Sequence, residues 1–333
     1  MFMLFAGRKA VRPKKAKQGV RKPRAAAPRA GLAAIASFGS NPGALRMNVY
    51  APPKLRAGRP LVVVLHGCGQ HAVSFATGAG WVALANGLDF ALLMPEQTSS
   101  NNPGRCFNWF RPGDVRRDAG ETKSIRQMIR TAVKMFGSQP SQIFIAGFSA
   151  GGGMAAAMLA SYPALFNAGA VVAGMPVGSA STPMGALLRM RKADASRSRQ
   201  SLARDALLAT NTPPRKRWPR ISIWQGEEDR TVDPANAEAL AAQWGELHGS
   251  SLEAATDEMA SGARQRTWGR PAKPPAVELW TVPKLAHGFP VDRSARGPGS
   301  PVPWVLEAGI SAADHIASFW NLKPGASPVR PVR

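Results

Sequence analysis

Residues 142–153 read Gln-Ile-Phe-Ile-Ala-Gly-Phe-Ser-Ala-Gly-Gly-Gly. A short run of β-forming residues stops at the pentapeptide 147–151, and an Ala- and Met-rich helical stretch follows as far as Tyr162. This order predicts a strand, a very tight turn and a helix, with Ser149 at the apex of the turn. Such a turn strains the serine backbone, so Gly147 and Gly151 are expected to leave room where strand and helix nearly touch.

Further apolar runs alternate with helical spacing along most of the chain, which indicates the α/β fold class with a doubly wound, mostly parallel sheet. With the serine turn at a strand–helix junction, the pattern predicts an α/β-hydrolase arrangement. The predicted strands are 44–51, 60–65, 90–94, 142–147, 168–173, 220–225 and 276–282, and the predicted helices are 78–87, 118–136, 152–161, 234–247 and 309–321.

The domain organisation follows from this alternation. Residues 40–321 are predicted to form one catalytic domain, preceded by a basic, disordered arm over 1–39 and followed by a flexible tail over 322–333. Two stretches interrupt the alternation: 174–219 is rich in Gly, Ser, Pro and Arg, and 249–275 is polar and Gly-rich. Both are expected to be insertions at the rim of the sheet, where they form either substrate walls or surface loops without function.

The net charge of +23 is unevenly distributed. Residues 1–30 contain ten Lys and Arg and no acidic residue, and a second basic cluster occupies 189–220. Such charge favours non-specific association with anionic surfaces, but no nucleic-acid motif accompanies it. The first six residues are apolar yet too few for a signal peptide, and no apolar run is long enough to span a membrane. As written, the chain is therefore expected to be cytoplasmic, without a specific nucleic-acid partner.

The catalytic residues are predicted from their order along the chain. A serine hydroxyl becomes nucleophilic when a base accepts its proton and an acid orients that base, and in this fold the order is Ser, Asp or Glu, His. Of the five histidines, His287 is the one in a loop after the appropriate strand. Asp229 lies just past strand 220–225 and is the preferred acid. Asp233, which is well placed to cap the next helix, and Glu227 and Glu228 stay open as alternatives.

An oxyanion intermediate requires two backbone donors. The N–H of Ala150 is expected to be one, and the N–H of Cys68, in the turn after strand 60–65, the other. His66 is expected only to shape that turn. Trp109 and Phe110 are candidate walls of an acyl pocket, although both could simply be core residues. The two cysteines, Cys68 and Cys106, are too few for a zinc site and form either one disulfide or two buried thiols.

Several separated blocks together resemble the poly(3-hydroxybutyrate) depolymerase-type esterases, a group that includes feruloyl and acetylxylan esterases. The resemblance covers roughly residues 40–321 and rests on these blocks: Leu65-His-Gly-Cys-Gly-Gln70, Met94-Pro-Glu-Gln97, Cys106-Phe-Asn-Trp-Phe110, Ser124-Ile-Arg126, Gly147-Phe-Ser-Ala-Gly-Gly152, Asp229-Arg-Thr-Val-Asp-Pro234 and His287-Gly288.

The resemblance implies a triad of Ser149, Asp229 and His287, Cys68 in the oxyanion loop and a Cys68–Cys106 bridge. It implies a serine esterase that uses no metal or organic cofactor and acts on poly(3-hydroxybutyrate)-type polyesters or oligomers, or alternatively on feruloyl or acetylxylan esters. Many such relatives are secreted, so the resemblance implies an extracellular location. The N-terminal sequence, which shows no signal peptide, instead predicts a cytoplasmic one. A third hypothesis is a protein that binds polyanions or granule surfaces through the arm.

Overall fold

The structure of the protein, a computed structural model, describes residues 30–210, 218–251, 253–270, 273–294 and 302–324. The described strands are β1 Gly31–Ile35, β2 Arg46–Ala51, β3 Leu61–Leu65, β4 Ala91–Glu96, β5 Ile143–Phe148, β6 Ala168–Val172, β7 Arg220–Gly226, β8 Thr256–Ala260, β9 Ala263–Trp268, β10 Val277–Val282, β11 Phe289–Val291 and β12 Val305–Glu307. The described helices are α1 Ala72–Gly78, α2 Trp81–Leu88, α3 Pro112–Val115, α4 Gly120–Phe136, α5 Ala150–Ser161, α6 Pro183–Arg191, α7 Arg199–Ala209, α8 Ala235–Leu247 and α9 Ala312–Phe319.

One ten-stranded sheet organises the domain, in the order β1-β2-β4-β3-β5-β6-β7-β10-β9-β8. The six central strands, from β4 to β10, run parallel, whereas β1, β2, β9 and β8 pair antiparallel at the two edges. Parallel strands all end on the same side, so the loops after β3, β5, β7 and β10 meet along one edge of the sheet. The predicted α/β-hydrolase fold with a mostly parallel sheet is confirmed.

The central strands are buried on both faces. All five residues of β3 are at most 1% exposed, and they alternate between two apolar clusters because successive side chains of a strand point to opposite faces. Leu61, Val63 and Leu65 belong to the apolar cluster that includes residues of α4, α5, α7 and α8, whereas Val62 and Val64 belong to the cluster that includes residues of α1, α2 and α9. Burial of each such side chain stabilises the fold by about 1.5–3 kcal/mol, which explains the uninterrupted apolar runs in the sequence.

The edges of the sheet differ from the sequence-based prediction. Residues 31–35, which the prediction placed in the disordered arm, form β1 and pair with β2. Residues 1–29 lie outside the described residues. Within the polar stretch 249–275, β8 and β9 form a hairpin that extends the sheet past β10. The outermost strands of the two additions, β1 and β8, have mostly exposed side chains, so no apolar alternation marks them in the sequence.

Candidate active site

Ser149 lies in the turn between β5 and α5, with φ 55° and ψ −119°. This left-handed φ is strained for a residue with a side chain. A Cβ on Gly151 would lie 2.4 Å from the carbonyl oxygen of His66, and a Cβ on Gly147 would lie 2.0 Å from that of Gly151. Glycine at these two positions therefore lets the strand and the helix approach closely enough to hold the serine at the end of the sheet.

Three side chains from different loops meet at this turn. The Nε2 atom of His287 lies 3.0 Å from Oγ of Ser149, and its Nδ1 atom lies 2.8 Å from Oδ2 of Asp229. All three residues are at most 7% exposed. The imidazole can thus accept the serine proton at Nε2 while Nδ1–H donates to the carboxylate, an arrangement suited to nucleophilic catalysis.

Asp229 is held in its charged form by its surroundings. Its Oδ1 accepts hydrogen bonds from the N–H groups of Thr231 and Val232, at 2.9 and 2.8 Å, and Oδ2 also accepts one from the amide of Gln225. Burial by itself raises the pKa of the carboxyl, but the hydrogen bond and charge of His287 and the backbone donors outweigh it, so the pKa of Asp229 lies below its usual range.

The competing acids point elsewhere. Asp233 accepts hydrogen bonds from the N–H groups of Ala193 and Ala235, each at 3.0 Å. Glu227 and Glu228 are exposed at the surface. Of these four acids, Asp229, the one that the sequence analysis preferred, is therefore the one that contacts His287.

His66 shapes the turn after β3, as the sequence indicated. Its Nδ1–H donates to the carbonyl of Gly67 at 2.7 Å, and its Nε2 accepts the N–H of Gln97 at 3.1 Å. Burial lowers the pKa of His66 to about 4, so the ring is neutral at pH 7. The neutral ring ties the turn to the loop after β4.

Two candidate backbone donors belong to residues beside Ser149. Cys68 and Ala150 line a cavity of about 310 Å³ that also includes Ser149, and within the described ranges their N–H groups take part in none of the backbone hydrogen bonds of turns and loops. Ala150 is the first residue of α5, so its N–H lies at the positive end of the helix dipole. This arrangement matches what a negatively charged tetrahedral intermediate requires.

A disulfide joins Cys68 to Cys106, so the bridge that the resemblance implied is confirmed. A backbone hydrogen bond from Gly69 to the carbonyl of Gly104 reinforces it at 3.0 Å. The bridge fixes the turn that carries the Cys68 N–H against the segment that carries Trp109. One covalent link therefore couples a candidate oxyanion donor to a wall of the cavity.

Replacing both cysteines, by Cys68→Ser together with Cys106→Ser, is expected to lower the free energy of unfolding by about 4 kcal/mol, because the bridge closes a loop of 38 residues. We also expect kcat to fall by about tenfold or more, since the Cys68 N–H loses its fixed direction. Urea unfolding and the initial rate on p-nitrophenyl butyrate measure the two effects. Unchanged values of both in the double variant would show that the bridge is dispensable.

The cavity walls are mostly apolar. Trp109 and Phe110 form one side, and their rings meet edge to face with centroids 5.5 Å apart. Trp109 packs directly on α5: a Cβ on Gly153 would lie 2.8 Å from the indole. The opposite side is α6 with its neighbours, and the residues that contribute there are Met175, Pro183, Ala186, Leu187, Met190 and Val232. One of the two predicted insertions, 174–219, therefore lines the cavity, whereas no described residue of 249–275 does.

A buried carboxyl that the sequence analysis did not single out holds the loop after β4. Glu121 is fully buried and accepts hydrogen bonds from the side chains of Gln97, Asn101 and Asn108 and from the N–H of Asn108, at 2.6–3.0 Å. Burial raises its pKa to about 8, and the charge of Asp114 adds to the effect. No local pattern marks this residue, because its partners come from a different loop.

In the described part of the second basic cluster, three of the seven Lys and Arg residues lie close to acids. Arg189 lies 2.9 Å from Asp194, Arg197 lies 2.6 Å from Asp205, and Arg199 lies 3.7 Å from Glu246. These pairs reduce the free positive charge of the surface. Association of the arm with anionic surfaces stays a prediction, since residues 1–29 lie outside the described residues.

Within the described residues, no cluster of three or more His, Cys, Asp or Glu side chains is arranged to bind a metal ion. Among the helices described, none combines the length and the apolar character that crossing a membrane would require.

Comparison with known proteins gives consistent matches. The family model described as esterase PHB depolymerase matches residues 45–268. Poly(3-hydroxyalkanoate) depolymerase C of Paucimonas lemoignei is 34% identical over 297 residues, which cover 87% of this chain and 70% of that protein. Acetylxylan esterase of Coprinopsis cinerea is 30% identical over 271 residues, which cover 78% of this chain and 69% of that protein. The solved acetyl xylan esterase from Aspergillus awamori shares the fold, with a TM-score of 0.74 and 20% identity over 88% of this chain and 99% of that one.

Proposed function

The chain belongs to the esterase PHB depolymerase family and is a carboxylic-ester hydrolase, and from this premise we propose that it acts through an acyl-enzyme on Ser149, with poly(3-hydroxybutyrate)-type polyesters or their oligomers as substrate. The observation that carries the mechanism is the continuous hydrogen-bonded line from Ser149 through His287 to Asp229, at 3.0 and 2.8 Å.

The reaction follows from these contacts. Oγ of Ser149 attacks the ester carbonyl carbon while Nε2 of His287 accepts its proton, and the carboxylate of Asp229 stabilises the resulting imidazolium. The carbonyl oxygen becomes an oxyanion that accepts hydrogen bonds from the N–H groups of Cys68 and Ala150, each worth about 10²–10³-fold in kcat. The carbon–oxygen bond to the alcohol then breaks, and the alcohol leaves with the proton from His287. Water, deprotonated by the same imidazole, releases the acid and regenerates Ser149.

The cavity walls support a polyester as substrate. A polyester chain carries no hydroxyl groups along its length, whereas a polysaccharide carries many. The walls around Ser149 offer few polar groups that could bind hydroxyl groups. Asn102 is the other polar lining residue among those described, and its amide is engaged with Asn108 and Gly104. The apolar surface continues outward along α6, where Met184 and Leu188 are more than 60% exposed. A surface of this kind matches an apolar solid better than a hydroxyl-rich polysaccharide.

A feruloyl or acetylxylan ester is the second candidate. The 30% identity to an acetylxylan esterase favours it, and a cavity of about 310 Å³ also has room for a small acyl group. The two candidates differ in what surrounds the scissile ester, a polyester or a polysaccharide.

Product release separates the candidates. The purified chain is expected to release 3-hydroxybutyrate from a poly(3-hydroxybutyrate) suspension faster than acetate from acetylated xylan or ferulate from arabinoxylan at equal ester content. Leu187→Ser makes a cavity wall polar and should lower the polyester rate about tenfold. Leu208→Ser, an exposed α7 change outside the cavity lining, serves as the matched control with an unchanged rate. Faster acetate or ferulate release would instead favour the second candidate.

The nucleophile is tested separately by labelling. A fluorophosphonate reacts with an activated serine, so digestion and mass spectrometry should find the adduct on the peptide that contains Ser149. An adduct on another serine, with hydrolysis intact, would contradict the assignment of the nucleophile.

A further inference from the structure

Trp304 is an unusual side chain beside His287. It is 50% exposed, whereas the other large exposed apolar residues in the described part of the chain are Leu and Met. Its φ is 64°, in the left-handed region that a bulky residue rarely adopts. Strain of this kind persists where the surroundings hold a residue in place, often at a binding site. The backbone thus keeps an indole at the surface.

The contacts that hold Trp304 come from the catalytic loops. Strands β11 and β12 pair in parallel and bring together the segments that follow His287 and Trp304. The N–H of Phe289 donates to the carbonyl of Trp304 at 2.7 Å. The amide of Gln70 donates to the carbonyl of Pro303 at 2.6 Å and accepts the N–H of Gly67 at 2.7 Å. The turn at Trp304 is therefore tied both to the His287 loop and to the turn that carries Cys68.

The indole lies next to the imidazole. The two ring centroids are 5.9 Å apart with an interplanar angle of 64°, and Trp304 does not line the cavity formed by Trp109, Phe110 and α6. An ester placed with its carbonyl at Ser149 has two sides, the acyl group and the alcohol. The alcohol oxygen must lie within hydrogen-bond reach of Nε2 of His287 to receive its proton. The alcohol portion is therefore expected to lie close to the imidazole, the ring that Trp304 approaches to 5.9 Å.

From this geometry we infer that Trp304 forms the binding surface for the alcohol portion of the ester, and that it selects alcohols with an apolar chain, such as the next unit of a 3-hydroxyacyl polyester. The inference rests on the proposed acyl-enzyme mechanism. The indole face gives an apolar chain a rigid contact of large area, while a methyl or ethyl alcohol is too short to cover it. Trp304 is thereby a specificity contact for one half of the substrate and takes no part in proton transfer.

The test compares two esters with the same acyl group, ethyl butyrate and the butyryl ester of methyl 3-hydroxybutyrate. Trp304→Ala is expected to lower kcat/KM for the second ester by about 10- to 50-fold and to leave the first within about twofold, because only the longer alcohol reaches the indole. Trp304→Phe, which keeps an aromatic ring, should restore most of the loss. The deacylation rate, measured by pre-steady-state kinetics with p-nitrophenyl butyrate, should not change, since the alcohol has left before that step.

The controls separate the possible failures. Met259→Ala removes an exposed apolar side chain from edge strand β8 and should leave kcat/KM for both esters unchanged. An equal loss on both esters, or slower deacylation, would show that Trp304 only packs against His287 and would overturn the inference while leaving the mechanism in place. Equal rates of Trp304→Ala and wild type on the longer ester would overturn it as well. Absence of an acyl-enzyme in the wild type would instead reject the proposed mechanism, and the inference with it.

Discussion

Ser149→Ala is expected to lower kcat on p-nitrophenyl butyrate by about four to six orders of magnitude, because the chain loses the atom that attacks the ester. The remaining donors at Cys68 and Ala150 still bind the ester but have no covalent intermediate to stabilise. The pre-steady-state burst of p-nitrophenol, which reports acylation, should disappear in the same variant.

The fold should survive this change. The side chain of Ser149 lies at the cavity wall, and among the described residues its hydroxyl hydrogen-bonds to His287 alone. Alanine at φ 55° carries the same backbone strain as serine, so the free energy of unfolding should shift by less than about 1 kcal/mol. Turnover by a folded Ser149→Ala protein close to that of the wild type would refute the proposed nucleophile.

Asp229→Asn is expected to lower kcat by about 10⁴-fold, a loss that follows from the hydrogen bonds around the carboxylate. Oδ1 accepts the N–H groups of Thr231 and Val232, so the amide oxygen of asparagine would stay there. The amide NH₂ would then face Nδ1 of His287, which sits 2.8 Å from the present Oδ2. An NH₂ donor requires an unprotonated Nδ1, which places the proton on Nε2, and that tautomer cannot accept a proton from Ser149.

Asp233→Asn is the matched control for this prediction. Asp233 is a neighbouring carboxylate in the same loop. It accepts hydrogen bonds from the N–H groups of Ala193 and Ala235 and does not contact His287. Its replacement should leave kcat within about twofold and cost about 1 kcal/mol in unfolding free energy at most. Comparable losses of kcat in the two variants would mean that Asp229 has no special relation to the imidazole.

The central strands and the serine turn could be predicted because their signals are local. The strands β3, β4, β5, β6, β7 and β10 read as apolar runs since both faces of each are covered. The turn at Ser149 is recognisable since glycine is needed within two residues on either side of it. The edge strands β1 and β8 gave no such signal, because their side chains are mostly exposed and their pairing depends on neighbours elsewhere in the chain.

The residues of the site likewise divide into those that the sequence could predict and those whose positions depend on distant contacts. Chain order was enough to select His287 and to favour Asp229 among four acids, but it could not show which carboxylate would point at Nδ1. That choice depends on the turn after β7, where backbone N–H groups orient Asp229. The placement of Glu121 among Gln97, Asn101 and Asn108 likewise depends on loops that meet only after folding.

By itself, then, the sequence determined the central strands of the sheet, the strained serine and the order of its partners, because burial on both faces and close backbone approach restrict the residue types allowed at contiguous positions. The tertiary structure decided which carboxylate contacts His287, that α6 walls the cavity and that Trp304 stands beside the imidazole. These features depend on contacts between segments far apart in the chain, such as the pairing of β11 with β12, and no spacing of residues along the sequence records where such segments meet.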